Sequence, residues 1–250
     1  MSTDMYKETS YKYRRNQKEL LGKILSGALD EDLYIGNLRI DSTPQDGWEL
    51  NPIFTGRCFA SPHKLRIDVE LDNWDMSRGL LANLFESSAN ISELTFSVKY
   101  TGNASYISQE LTALCRYSAN LEKAEIILAD NVYLNGSGGM FYSCPALKTV
   151  ILRSNNNMRI GPTSIVINGV VDTIVLDSPV VPTLSGSNLI ASSVFVSGGT
   201  GGTIYIPKSL YDHLGDGTEY DYKSATNWST IDSYGTITWA QIEGSEYELT

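Results

Sequence analysis

The chain of 250 residues is poor in the residues that usually carry chemistry. It has two histidines, His63 and His213, in no metal-ligand spacing such as H-E-x-x-H, and no local triad signature surrounds either one. His63 is expected in a turn and His213 at the end of a helix. Three cysteines, Cys58, Cys115 and Cys144, are too few and too dispersed for a disulfide framework or a zinc site. Cys115 and Cys144 are expected at equivalent places in the repeats described below, as small buried apolar residues. No run of 18 apolar residues exists, so no transmembrane helix is expected. The first apolar stretch, Leu20 to Leu29, is interrupted by Lys23 and follows a charged segment, unlike a secretory signal. Synthesis and folding in a cytoplasm are therefore expected.

Cations are scarce as well. The net charge of −10 argues against nucleic acid as a partner, because phosphate binding needs a face rich in lysine and arginine. The deficit is uneven. Lys7, Lys12, Arg14, Arg15, Lys18 and Lys23 crowd the first 23 residues against Asp4, Glu8 and Glu19. From Asn16 to Leu29, Leu20, Leu21, Ile24, Leu25, Ala28 and Leu29 recur at helical spacing, predicting one amphipathic helix after a polar arm. Leu33 to Ile40 reads as extended, and Pro44, Gly47 and Pro52 mark a loop.

What the chain has instead is self-similarity. The segments Leu84–Phe96, Leu114–Ile126 and Met140–Leu152 align without gaps. Counted from Phe85, Cys115 and Phe141 as position 0, apolar residues fall at positions 0, 6, 9 and 11. The anchors Ile91, Leu121 and Leu147 are 30 and 26 residues apart, and Val171, Ile174 and Leu176 repeat the last three positions 24 residues on. Cys58-Phe59 through Leu65, Ile67 and Val69 is a looser copy upstream. The spacing predicts a helical turn, a tight turn, then a strand with alternate residues inward. Strands are expected at Leu65–Leu71, Leu94–Val98, Ala124–Leu128, Thr149–Arg153, Thr173–Leu176 and Thr203–Ile206. One such unit cannot cover its own apolar face, whereas stacked units bury a continuous core. The polar inserts Tyr100–Ser108 and Asn131–Gly139 should then fall together on another side as loops, presenting Tyr100, Tyr106 and Tyr133.

The phrase Phe141-Tyr142-Ser143-Cys144-Pro145-Ala146-Leu147-Lys148-Thr149-Val150 resembles the repeat of BspA-type leucine-rich repeat proteins, roughly F-x-x-C-x-x-L-x-x-I. The segments Ser178-Pro179-Val180-Val181-Pro182-Thr183-Leu184, Thr203-Ile204-Tyr205-Ile206-Pro207 and Tyr222-Lys223-Ser224-Ala225-Thr226-Asn227-Trp228, with the final Ile242 and Glu246-Tyr247-Glu248, are similar to the closing module of such proteins in gut-type bacteria and their phages. His213–Asp221 departs from that pattern as an insertion splitting the usual helix. Independently of the family, Pro207 suits a helix start, with Leu210, Tyr211 and Leu214 as its apolar face. Trp228 is placed to cap the open end of the core.

The expected fold is mixed and β-rich: a leucine-rich-repeat-like solenoid of short strands and helical turns, preceded by an N-terminal arm and helix. Residues 1–50 form an attachment segment, 51–202 the repeats and 203–250 the capping module. Other patterns are read as structural. Asp68, Glu70 and Asp72 alternate with Ile67, Val69 and Leu71, placing three carboxylates on one strand face. A cation would suit them, yet no glycine turn or second ligand cluster supports it, so a solvated face is favoured. Gly136-Ser137-Gly138-Gly139 and Gly198-Gly199-Thr200-Gly201-Gly202 lack the lysine and hydroxyl of a phosphate loop and read as connectors.

No enzyme, cofactor or metal is expected. The resemblance implies a phage virion protein (tail, baseplate or head fibre), with a BspA-like bacterial surface adhesin as the alternative. The arm residues Lys12, Arg14, Arg15 and Lys18 and the helix residues Leu21 and Leu25 are candidates for contact with other virion proteins. Tyr100, Tyr106 and Tyr133 are candidates for a host surface protein or glycan, since tyrosine gives rigid amphipathic contact area. A homo-oligomer is compatible with either role, and neither nucleic acid nor membrane is expected as a partner.

Overall fold

A computed structural model describes residues 32–40, 63–71, 85–100, 107–109, 111, 114–128, 132–134, 139–156, 158–160, 166–167, 171–184, 202–228 and 236–249. The chain is β-rich, organised on one parallel sheet of eight strands. These are β1 (Leu33–Ile40), β2 (His63–Leu71), β3 (Ile91–Tyr100), β5 (Lys123–Leu128), β8 (Thr149–Ser154), β11 (Thr173–Asp177), β13 (Gly202–Ile206) and β14 (Ile237–Gln241), adjacent in that order. All six strands expected from the repeats and the closing module are present. The extended piece at Leu33–Ile40 joins them as β1, and β14 adds a strand at the other end.

Period-2 alternation sets the faces. The register places Leu65, Leu94, Ala124, Val150, Ile174 and Ile204 in one row across β2 to β13. Ile67, Phe96, Ile126, Leu152 and Leu176 form the next. Every member of both rows is buried, as is the anchor column Ile91, Leu121, Leu147 and Val171. Apart from Ala124, each such side chain contributes about 1.5–3 kcal/mol relative to exposure, so the rows contribute heavily to stability.

The segments before the strands differ from expectation. Residues 85–87 and 114–117 are turns, and Phe141–Tyr142 is the short strand β7; none of them is helical. The cause is the residue at position 2. Ser87, Tyr117 and Ser143 have φ of +58°, +62° and +53°, a left-handed conformation that ends any helical run. Successive turns are bonded to one another. The amides of Phe85 and Cys115 donate to the carbonyls of Leu114 and Met140, both at 2.8 Å, and Tyr117 N donates to Tyr142 O at 2.8 Å. At position 3, Ser118 Oγ donates to Phe85 O (2.9 Å) and Cys144 Sγ to Cys115 O (2.9 Å). Cys115 and Cys144 are both buried but are not equivalents. Cys115 stands where Phe85 and Phe141 stand, and Cys144 where Ser88 and Ser118 stand.

The described parts of the polar inserts are strands bonded to one another, and the rest of the inserts lies outside the described residues. In them, β4 (Ile107–Gln109) pairs in parallel with β6 (Val132–Leu134). Further along the chain, β9 (Arg159–Ile160) pairs with β12 (Thr183–Leu184), and β7 pairs with β10 (Val166–Ile167). His63 is likewise the first residue of β2 rather than part of a turn.

Among the described residues of the closing module the α-helix is Lys208–Tyr211 (α1), directly after Pro207. Leu210 is buried, while Tyr211 and Leu214 pack against the core as partly buried side chains. The helix ends at Asp212, and His213 lies just beyond it. Gly215 and Gly217 then adopt φ of +88° and +76°, which a continuing helix excludes. The Asp221 carboxylate gathers this insertion by accepting the amides of Gly215 (2.8 Å), Gly217 (3.0 Å) and Lys223 (2.8 Å). Trp228 fills the end of the core at 2% exposure, and its Nε1 donates to Pro182 O at 2.6 Å. Tyr222 meets its ring edge-on at 4.9 Å. The expected N-terminal helix at Asn16–Leu29 lies outside the described residues.

Candidate functional site

The outer face of the sheet has two halves. Across β1, β2 and β3 its described side chains are polar. Arg66 stacks on the Tyr34 ring (5.2 Å), the Tyr34 hydroxyl donates to Asp68, and Lys64 pairs with Glu93 at 2.8 Å. The hydrogen bond and charge of Glu93 raise the Lys64 pKa. Asp32 ties the start of β1 to β2 by accepting from Lys64 N (2.9 Å) beside His63 Nδ1 (3.3 Å). Those bonds, Lys64 N first, lower the Asp32 pKa against the opposing effect of desolvation. Asp68 is engaged by Tyr34 and Arg66. Only the backbone of Glu70 is described, and Asp72 lies outside the described residues. Among the described residues no cluster of histidine, cysteine, aspartate and glutamate could hold a metal ion.

Across β8, β11 and β13 the same face is covered by the last residues of the chain. Ile242 and Tyr247 pack on Ile151, Val175 and Tyr205 in a cluster separate from the main core. Arg153 lies beneath them with its side chain 7% exposed. Its Nε donates to Glu125 (2.6 Å), its Nη1 to Asp177 (2.7 Å) and its Nη2 to the carbonyl of Tyr247 (2.8 Å). A nearly buried cation thereby has both charges and hydrogen bonds compensated.

The line of turns forms a third surface. Glu86, Arg116 and Tyr142 occupy position 1 in successive copies, and Arg116 Nε donates to Glu86 at 2.9 Å. That hydrogen bond raises the Arg116 pKa. Tyr117 is 48% exposed, meets the Tyr142 ring edge-on at 5.5 Å and lies under the Arg116 guanidinium at 5.1 Å. The result is an aromatic and charged ledge at the side of the sheet.

No family model, curated protein or solved structure matches this chain.

Among the residues singled out from sequence, Lys12, Arg14, Arg15, Lys18, Leu21 and Leu25 lie outside the described residues, as does Tyr106. Tyr100 is the last residue of β3 and Tyr133 the middle of β6, so neither stands in a loop. His213 pairs with Asp216 at 2.6 Å beside Tyr220. Burial pushes the Cys115 thiol well above its ordinary pKa and the Cys144 thiol up to about 11. Neither is poised as a nucleophile. Sequence reasoning missed Arg153, Tyr247 and the ledge at Tyr117. An arginine that alternates with apolar residues gives one signal, that it faces away from the core; what covers it there is a long-range fact. Among the described residues no helix is long and apolar enough to cross a membrane.

Proposed function

We propose that this chain is a non-enzymatic structural protein of a phage virion, belonging to its tail, baseplate or head fibre. In this reading residues 51–202 are a leucine-rich-repeat-like solenoid, residues 203–250 cap it, and residues 1–50 attach it to the particle. Lys12, Arg14, Arg15 and Lys18 with Leu21 and Leu25 supply charge and apolar burial for that attachment to other virion proteins. The polar outer face and the tyrosines Tyr100, Tyr106 and Tyr133, together with the Tyr117 ledge, are the surfaces offered to a host surface protein or glycan.

The observation that carries this reading is the recurrence of one bonding scheme. Position-2 residues are left-handed in three copies, and position-3 side chains donate to the carbonyl at position 0 of the copy before. Between the copies, Lys148 N bonds Glu122 O and Asp172 N bonds Lys148 O, each at 2.8 Å. Such a scheme builds a rigid surface from repeated units, and each unit depends on its neighbours. The ion pairs Lys64–Glu93, Arg116–Glu86, Arg153–Glu125 and Arg153–Asp177 hold neighbouring strands and turns together, which fits a display surface. The assignment to a phage rests on the likeness of the closing segments, from Ser178–Leu184 to Glu246-Tyr247-Glu248, to those of gut-type bacteria and their phages.

The test is a mass-spectrometric search for this chain in purified phage particles. Recovery in particles at a fixed copy number relative to the other virion proteins is the expected result. Recovery from the bacterial cell envelope, and not from particles, would replace this reading with the surface adhesin.

A further inference from the structure

The segment that covers Arg153 is built like a ligand rather than like part of the core. Ile242 N donates to Ile206 O (2.9 Å) and Glu243 accepts from Lys208 N (2.7 Å); beyond them Gly244–Leu249 takes its shape from bonds within the segment. The amide and Oγ of Ser245 both donate to Ile242 O (3.0 and 2.6 Å), Tyr247 N donates to Ser245 Oγ (3.1 Å), and Gly244 N donates to Glu248 Oε2 (2.8 Å). Gly244 turns the chain at φ of +79°. The sheet side supplies the two carboxylate partners of Arg153 without the segment. Glu125 and Asp177 hold Nε and Nη1 of Arg153, which leaves Nη2 aimed outward at a peptide carbonyl. Ile151, Val175 and Tyr205 form the floor beside it, with the Tyr205 ring 4.8 Å from that of Tyr247. A donor fixed by flanking carboxylates over an apolar floor does not need its occupant in order to form. Such preorganisation lowers the cost of binding. Tethering adds an effective concentration on the order of millimolar, so a segment of modest intrinsic affinity stays seated.

We propose that the outer face of β8, β11 and β13 is a peptide-binding site, occupied in cis by the chain's own Ile242–Leu249. Its ligand class is a short acidic peptide with an aliphatic residue and a tyrosine five positions apart, as in Ile242 and Tyr247. The aliphatic residue and the tyrosine ring fill the floor, and the tyrosine carbonyl accepts from Arg153. The proposal is independent of the virion assignment, since it concerns one face of the folded chain.

The test uses the full chain carrying Tyr247→Ala, which loosens the tethered occupant, and a fluorescein-labelled peptide of residues 241–250 followed by anisotropy. The peptide is expected to bind this variant at least tenfold more tightly than the unaltered chain. A peptide with alanine in place of its tyrosine is expected to lose that binding. Equal binding to both chains, or none to the variant, overturns the proposal if the variant is folded by circular dichroism. Hydrogen exchange on the unaltered chain decides the matter even if the variant is not folded. Amides at Ser245, Tyr247 and Glu248 should exchange at least tenfold faster than those of Ile174 and Leu176 in β11. Equal protection would make the segment an inseparable part of the core and would refute the site.

Discussion

Replacing Leu147 by alanine probes the packing at its centre. Leu147 is fully buried, in the anchor column with Leu121 before it and Val171 after it. Deleting about three methylene equivalents removes about 2.4 kcal/mol of transfer free energy at ~0.8 kcal/mol each. The cavity term depends on whether the neighbours can close in. Here they are held apart by the backbone ladder, with Lys148 N on Glu122 O and Asp172 N on Lys148 O, both at 2.8 Å. Collapse along the stack would break those bonds, so most of the cavity should persist. The expected loss is about 3–4 kcal/mol, within the range for buried leucines. Urea unfolding followed by circular dichroism measures it as a shift in midpoint at constant slope. Ile127→Ala, on the half-buried outer face of β5, serves as the control and should cost under about 1 kcal/mol. A loss below about 0.5 kcal/mol for Leu147→Ala would refute the anchor column.

Three further outcomes follow from the closing module. Trp228→Ala should cost about 3–5 kcal/mol and promote self-association by uncovering the end of the core, seen in unfolding curves and sedimentation; an unshifted indole emission in the unaltered chain would argue against its burial. The Tyr222 hydroxyl is buried without a hydrogen-bond partner, and burial, then the negative Asp177, raises its pKa well above the ordinary value. Tyr222→Phe should therefore leave stability unchanged or raise it by up to about 1 kcal/mol, and a loss above about 1 kcal/mol would show that the hydroxyl is satisfied. Desolvation raises the pKa of Asp221, but its backbone hydrogen bonds outweigh that and hold it below the ordinary value. Its stabilisation is thus complete above the unfolded value of about 3.9 and is lost as pH falls through the lower folded one. Asp216, held at about 2 chiefly by Thr218 N, follows the same sign. Asp221→Asn should flatten the stability profile below about pH 4, and an unchanged acid limb would contradict this.

How much of this was legible in the sequence depends on the range of the interaction concerned. Strands such as Ala124–Leu128 and Thr149–Arg153 could be read because alternation and the repeated spacing agree. The turns were misread as helical because the left-handed position is filled by Ser87, Tyr117 and Ser143 rather than glycine, so nothing in the composition marks it. Strands of three residues, Ile107–Gln109 and Val132–Leu134, are too short to show a period and exist through pairing with each other. Ile237–Gln241 was missed because it lies within the closing module, beyond the repeats, where no further copy predicts it. The cover over Arg153 comes from Tyr247, far along the chain, and no local pattern announces such a contact.

The central functional claim is that a folded repeat module is carried on a particle by the residues before it. The most direct measurement compares a chain beginning at Leu33 with the full chain, by circular dichroism and by its incorporation into phage particles in a host supplying either form. Both forms are expected to give the same β-rich spectrum, with the truncated chain lost from purified particles. Incorporation of the truncated chain as efficiently as the full one would contradict the claim.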